Sequence, residues 1–200
     1  MQGKFPSRVH FHAFDLANVD QVKEGLFDAF LPFGVPLHGY VNNAAVAYDD
    51  IVTNLDAERL RAMYEVNVFA PMMVTKYVIR HMLFNRVPGA IVHISSISVH
   101  SGYKGLAMYA STKGALEAFS KNTAREWGER GMRSNCVVAG FMETAMSRKL
   151  SEEQRDKIYR RTSLKKAASL ESVAATAVHL LGEGSASITG QNFFVDSGTI

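Results

Sequence analysis

Two apolar periodicities alternate along nearly the whole chain, and that alternation constrains the fold more than any other feature. Short stretches rich in β-branched and aromatic residues, "LHGYV", "AIVHIS", "SNCVV" and "NFFVD", are separated by longer stretches whose apolar residues recur every three or four positions. The first kind reads as strand and the second as helix with a buried stripe. Strands joined by crossover helices lie parallel, so the expected fold class is α/β, an open, doubly wound, mostly parallel sheet. With 200 residues, of which 47% are hydrophobic and 20% charged, the chain can bury one sizeable core, and residues 1–200 are expected to form a single domain.

The remaining elements follow from the same reading. "RVHFHAF" alternates like a strand, and "NVDQVKEGLFDAFLP" is expected to be a helix with Val22, Leu26 and Phe30 on one stripe, Asn18 as N-cap and Pro32 as its stop. Residues from about 56 to 85 read as one or two helices, Tyr109 to about Trp127 as another, and "SEEQRDKIYRR" and "LESVAATAVHLLG" as two more. The most apolar run, "VNVFAPMMVTKYVIRHMLF", is broken by Lys76, Arg80 and His81, which argues against a membrane span. The start has no apolar stretch of signal-peptide type. Cys136 is the only cysteine, so no internal disulfide framework or cysteine cluster is available, and a reducing, cytoplasmic setting is expected. The formal charge is +3, but basic and acidic residues are interspersed, which does not indicate nucleic acid as a partner.

Open parallel sheets bind ligands beyond the carboxyl ends of their strands. At those ends stand "NNAA" (Asn42 to Ala45), Ser95-Ser96 and "AGFMET" (Ala139 to Thr144), small and amide residues that let a flat ligand approach the backbone. Tyr109 and Lys113 lie four apart at the start of a helix, on one face, with the ammonium one turn beyond the phenol.

With these residues in view, the sequence resembles the classical short-chain dehydrogenase/reductase family, and within it the 3-oxoacyl-acyl-carrier-protein reductases. The family's Asn-Asn-Ala-Gly motif is present as Asn42-Asn43-Ala44-Ala45, its helix asparagine as Asn67, its serine as Ser96, its Tyr-x-x-x-Lys as Tyr109 and Lys113, and its Pro-Gly-x-x-x-Thr as Ala139-Gly140-x-x-x-Thr144. "ITGQNFFVDSG" is similar to the family's ending, with Ser197 in place of a usual glycine. The resemblance implies a Rossmann-like fold and NAD(P)H-dependent reduction of a carbonyl to an alcohol, with NADP(H) favoured over NAD(H). It implies catalysis by Ser96, Tyr109, Lys113 and Asn67, and cofactor contacts from Asp15, Asn42, Ala44, Tyr109, Lys113, Gly140 and Thr144. Ser96 would hydrogen-bond the substrate oxygen, Lys113 would lower the phenol's ordinary value of about 10 and hold the nicotinamide ribose, and Asn67 would hold a water linking Lys113 to solvent. The substrate would be a small-molecule or acyl-carrier-bound carbonyl compound; Arg148, with Arg86 near a second such position, would meet the acidic carrier. The long helices imply a homo-oligomer, dimer or tetramer.

Other candidates have plainer readings. His10 and His12 share a face of an alternating strand without a third ligand at useful spacing, so no metal site is expected. His93 falls inside a strand and reads as a packed or edge residue; Asp49-Asp50 and Glu152-Glu153 are adjacent carboxylates that point apart. Asp15 reads equally well as the cap of a turn and, through the resemblance, as an adenine contact.

The sequence contains no Thr-Gly-x-x-x-Gly-x-Gly turn, which in the family supplies the backbone N–H groups that hold the pyrophosphate. "RVHFHAF" matches the family's third strand, so the first two strands and the first helix are expected to be missing, and with them the residues that select NAD or NADP. In the parent sheet their removal leaves about 14 Å between the strands near Val9 and Leu37, so these edges either pair again or expose the core. Two classes of function follow: an oxidoreductase, of which this chain is a short form, and a non-catalytic interaction protein that has lost cofactor binding.

Overall fold

The strand from Gly89 to Ser96 shows why this chain makes a parallel sheet: six consecutive residues, Ala90 to Ser95, are buried, a run too continuous for a strand with one wet face. In the computed structural model, which describes residues 9–30, 35–144, 147 and 150–200, this strand (β2) pairs in parallel with β1 (Gly39–Asn42) and with β3 (Met132–Ala139). β4 (Asn192–Val195) completes a sheet of order β1-β2-β3-β4 among the described residues. Every pairing is parallel, so the carboxyl ends, at Asn42, Ser96, Ala139 and Val195, lie at one edge of the sheet.

Helices cover both faces. On one, Val74, Val78, Ile79 and Met82 of α3 (Ala70–Asn85) pack with Ile91 and Met132; on the other, Val173, Ala177 and Leu180 of α7 (Leu170–Leu181) pack with Val92, Ile94 and Val137. α5 (Ala107–Trp127) lies against β2 and β3. α2 (Ala57–Tyr64) is capped by Asp56, whose carboxylate accepts from the N–H groups of Glu58 and Arg59. α6 (Glu152–Arg161) opens with a capping box between Ser151 and Gln154, and its first-turn Glu153 pairs with Lys157 at 2.7 Å. Among the described residues no helix is long and apolar enough to cross a membrane, and no group of three metal-ligating side chains occurs.

Two expectations are corrected at the amino-terminal side. The described part of "RVHFHAF", residues 9–14, pairs with no strand, and Phe11 is 81% exposed. An alternating segment gains strand geometry from a neighbouring strand's hydrogen bonds, and among the described residues no strand pairs with it; within those residues β1 is the sheet's edge. Among the described residues the edges do not pair again, yet the core is not bare. Val22 and Phe27 are buried against α3 and Ile91, with Phe14, Leu16 and Leu26 around them, so residues 14–27 fold over that face.

The segment that does this is not the expected regular helix. It runs as a 3-10 turn (Val19–Gln21), a π turn (Lys23–Phe27) and α1 (Asp28–Phe30). The π turn's wider spacing brings Phe27, rather than Leu26, into the core with Val22. Gly25 permits it: a Cβ there would lie 2.5 Å from the Phe14 ring. Asn18 makes no side-chain cap bond; Asp15 closes the turn instead, accepting from the Ala17 N–H at 3.0 Å, and Pro32 lies outside the described residues.

Candidate active site

Two side chains of α5 tie that helix to the carboxyl end of β2. The Lys113 ammonium donates to the Ile94 carbonyl at 2.8 Å, and the Glu117 carboxylate accepts from the Ser95 hydroxyl. Ser96 is the next residue, in register with Ala139, and the Ile97 N–H continues the join by donating to the Ala139 carbonyl at 2.9 Å. Tyr109 stands one turn before Lys113, whose ammonium lies 5.7 Å from the centre of the phenol ring. Lys113 and Glu117 thereby hold the first turns of α5, with Tyr109, against the strand that Ser96 ends.

The electrostatics depart from the expected lowering of the phenol. Burial pushes Tyr109 up to about 12, and the nearby Asp49 charge adds to the rise. Burial also holds Lys113 down to about 8, since a 2% exposed ammonium lacks its hydration shell. Desolvation is the largest cause of both shifts. At neutral pH Tyr109 is therefore a protonated phenol, the form that can give a proton.

Asn67 sits in a π turn (Glu65–Phe69) between α2 and α3, a local irregularity that periodicity does not reveal. Its side chain straps the loop after β1 to α5: Oδ1 accepts from the Val46 N–H at 2.9 Å, and Nδ2 donates to the Val46 carbonyl at 2.8 Å and to Thr112 Oγ1 at 3.1 Å. Both amide protons are used, so the expected water-holding role falls to no donor of this side chain.

The other expected positions separate into groups. Asn42 ends β1 beside His93 in register, and its buried Nδ2 has no partner. Ala44 is exposed in the loop that Asn67 holds, and Asp15 is exposed at its turn, well outside the β2–β3 junction in sequence and pairing. Gly140 donates its N–H to the Val195 carbonyl at 2.9 Å, and a Cβ there would lie 2.5 Å from Asp196 Cα; the close crossing of two strand ends requires glycine before any ligand does. Thr144 closes a turn with Ser147, its N–H donating to Ser147 Oγ at 2.9 Å. Arg148 lies outside the described residues, and Arg86 caps α3 in a left-handed conformation with φ 54°.

The plainer readings also resolve. His12 bonds the Gly25 carbonyl, and Asp50 caps the Ile51 N–H at 2.8 Å. His93 is fully buried between Tyr40 and Phe119 with neither ring nitrogen bonded, and burial pushes it down to about 4. Sequence reasoning passed over Ser98, Thr112 and Glu117; the Ser-x-Ser spacing after β2, and an acid one turn beyond Lys113 on a buried face, were the available signals.

The whole chain can be compared with known proteins. A protein-family model described as enoyl-(acyl carrier protein) reductase matches residues 1–199. Carbonyl reductase (NADPH) 2 of Sus scrofa is 37% identical over 165 residues, 82% of this chain and 68% of that protein. The 3-oxoacyl-acyl-carrier-protein reductase of Chlamydia muridarum is 31% identical over 198 residues, 99% of this chain and 79% of that protein. Among solved structures, a gluconate 5-dehydrogenase from Burkholderia cenocepacia in complex with NADP and tartrate superposes with a TM-score of 0.88 at 27% identity, over 93% of this chain and 73% of that one. ElxO with NADP bound does so with 0.89 at 28% identity, over 99% and 82%. Fold, family match and relatives agree: the chain belongs to the classical short-chain dehydrogenase/reductase family of oxidoreductases.

Proposed function

We propose that this site reduces a ketone to a secondary alcohol with NADP(H), and that the ketone is a 3-oxoacyl group carried as a thioester on an acidic acyl carrier. The observation that supports the reading is the Lys113 bond to Ile94, which holds a buried cation, one turn from a protonated phenol, against the strand that ends in Ser96. The 3-oxoacyl-acyl-carrier-protein reductases among the relatives support the substrate class, and the NADP-bound neighbours support the cofactor.

The donors present fit the sugar and nicotinamide end of such a cofactor. Lys113 has two ammonium protons beyond its bond to Ile94, and Asn42 has a buried amide with no partner; both suit ribose hydroxyls. When bound, the nicotinamide supplies the hydride that forms the new C–H bond. As the carbonyl oxygen gains negative charge, the Ser96 hydroxyl donates a hydrogen bond to it and the Tyr109 hydroxyl transfers its proton. An alkoxide is far more basic than a phenolate, so a phenol at about 12 still gives its proton downhill. The Lys113 ammonium then faces the phenolate left behind, until solvent returns a proton. The raised phenol favours reduction over oxidation, since the reverse reaction must begin from phenolate.

Arg148 is the proposed contact with the carrier. Arg148→Glu should cut turnover of an acyl-carrier-bound 3-oxoacyl substrate at least tenfold while changing that of free ethyl acetoacetate less than twofold, as loss of a charged contact of about 1.4 kcal/mol or more requires. Equal losses on both substrates would reject the carrier. We further infer a homo-oligomer, supported by Phe69 at 46% and Phe84 at 87% exposure on the α2–α3 rod. A monomeric mass in light scattering would refute it.

A further inference from the structure

We propose that Ser98 is a positioning residue that fixes the direction in which Ser96 presents its hydroxyl proton. The proposal rests on the reading of Ser96 as the donor to the substrate oxygen. Ser96 Oγ accepts two hydrogen bonds from one residue: the Ser98 N–H at 3.2 Å and the Ser98 hydroxyl at 3.0 Å. A serine oxygen has two lone pairs and one proton. With both lone pairs engaged from the Ser98 side, the Ser96 proton points away from Ser98. Without the second donor, only the Ser98 N–H at 3.2 Å would hold Ser96 Oγ, and the side chain would be free to turn to another rotamer and aim its proton elsewhere.

Ser98 can impose a direction because the turn carrying it is held on every side. It opens α4 (Ser98–Ser101), is itself 3% exposed, and follows Ile97, whose N–H is bonded to Ala139 of β3. Two residues later His100 Nε2 meets Glu117 at 3.0 Å, and the same carboxylate accepts from Ser95 and from Asn192 Nδ2 at 2.7 Å. Ser101 Oγ closes the turn onto the Ile97 carbonyl at 2.8 Å. Glu117 thus joins β2, α4 and β4 to the helix that bears Tyr109 and Lys113, so the Ser98 donors and the phenol belong to one rigid frame. That rigidity is what a hydrogen-bond donor to developing charge needs, because its value depends on being aimed beforehand.

The test pairs crystal structures of the 200-residue chain with steady-state reduction of acetoacetyl-coenzyme A by NADPH, for wild type, Ser98→Ala, Ser98→Cys and Ser98→Thr. Ser98→Ala should leave Ser96 Oγ spread over two or more rotamers. It should lower kcat about tenfold, part of the roughly 100-fold that losing an oxyanion donor outright costs, with KM within twofold. Ser98→Thr, which keeps the hydroxyl, should restore kcat to within threefold, and Ser98→Cys, a weak donor of similar size, should fall between and serves if the alanine variant does not fold. Wild-type kcat in Ser98→Ala, an unmoved single Ser96 rotamer in the variants that lack the hydroxyl, or a threonine variant as impaired as alanine would overturn the proposal. If Ser96→Ala itself leaves kcat intact, or no variant including wild type reduces the thioester, the reading of Ser96 fails instead, and the rotamer comparison still decides whether Ser98 holds it.

Discussion

The carboxyl ends of β2 and β3 and the segment from residue 9 to β1 make an instructive pair. Both read clearly as regular structure, yet only the first folded as read. At the β2–β3 junction every expected element has its partner: β2 lies between two strands, α5 is bonded to it through Lys113 and Glu117, and Gly140 fits against Asp196 with no room for a side chain. At the other side, residues 9–14 carry the strand pattern without a neighbouring strand among the described residues, and the helical pattern beyond them yields to a π turn that serves burial of Val22 and Phe27. Periodicity states which face a segment would bury; whether it becomes strand depends on a second segment that periodicity does not see.

The largest expected effect tests the junction. Tyr109→Phe should lower carbonyl reduction at least 100-fold with the melting temperature nearly unchanged, since it removes the transferable proton and little else. A variant keeping more than about a tenth of wild-type turnover would move the acid elsewhere. Lys113→Met should do comparable damage, and the pH profile shows why. With Lys113 held at about 8, its ammonium is lost as pH rises through that value, so kcat/KM for reduction should be flat below about 8 and fall above it. A profile level to pH 10 would mean that the cation is not required.

Next in size is packing at the same junction. Gly140→Ala would bring its Cβ to 2.5 Å from Asp196 Cα, a clash of backbone against side chain that flexible atoms cannot relieve, and should cost about 2 to 3 kcal/mol of stability. An unchanged unfolding midpoint in urea would show that the strand ends are looser than described. Smaller still is His93. The unfolded chain binds its proton between about 4 and 6.5 while the folded chain does not, so stability should rise with pH across that window. His93→Leu should flatten that rise and add about 1 kcal/mol near neutrality, because two unbonded buried nitrogens are removed together. Destabilisation by leucine would reveal a hidden partner for the ring. The smallest effect belongs to the other region: Phe11→Ser should change stability by less than about 0.5 kcal/mol, as at any exposed position without a structural partner. A loss of 2 kcal/mol or so would place residues 9–14 in a packed strand and erase the contrast.

What was legible follows the same division. β1 to β4 and the helices from residue 56 onward, except the unforeseen turn of α4, stood within a few residues of their predicted bounds, because each carries its own period and stop signals, such as the Ser151–Gln154 capping box. Tyr109 and Lys113 stood out by their spacing and Ser95-Ser96 by its place at a strand end, but their reading as one site came from the family resemblance, which spacing alone does not supply. The direction of the Tyr109 shift was not legible: burial and the approach of Asp49 depend on how the loop after β1 folds back, which Asn67 arranges through its own bonds to Val46 and Thr112. Ser98 escaped notice for a like reason, because a second serine near a strand end gains meaning only when its N–H and hydroxyl are seen on the first.

The proposed roles of Tyr109, Lys113 and Ser96 in hydride transfer to a carbonyl are tested most directly by following the hydride itself. NADPH carrying deuterium at both C4 positions of the dihydronicotinamide should be incubated with acetoacetyl-coenzyme A and this chain, and the thioester examined by mass spectrometry. One deuterium is expected on the carbon bearing the new hydroxyl, present with wild type and at least 100-fold slower to appear with Tyr109→Phe. A 3-hydroxy product without deuterium, or no product from folded wild-type chain at saturating NADPH, would contradict it.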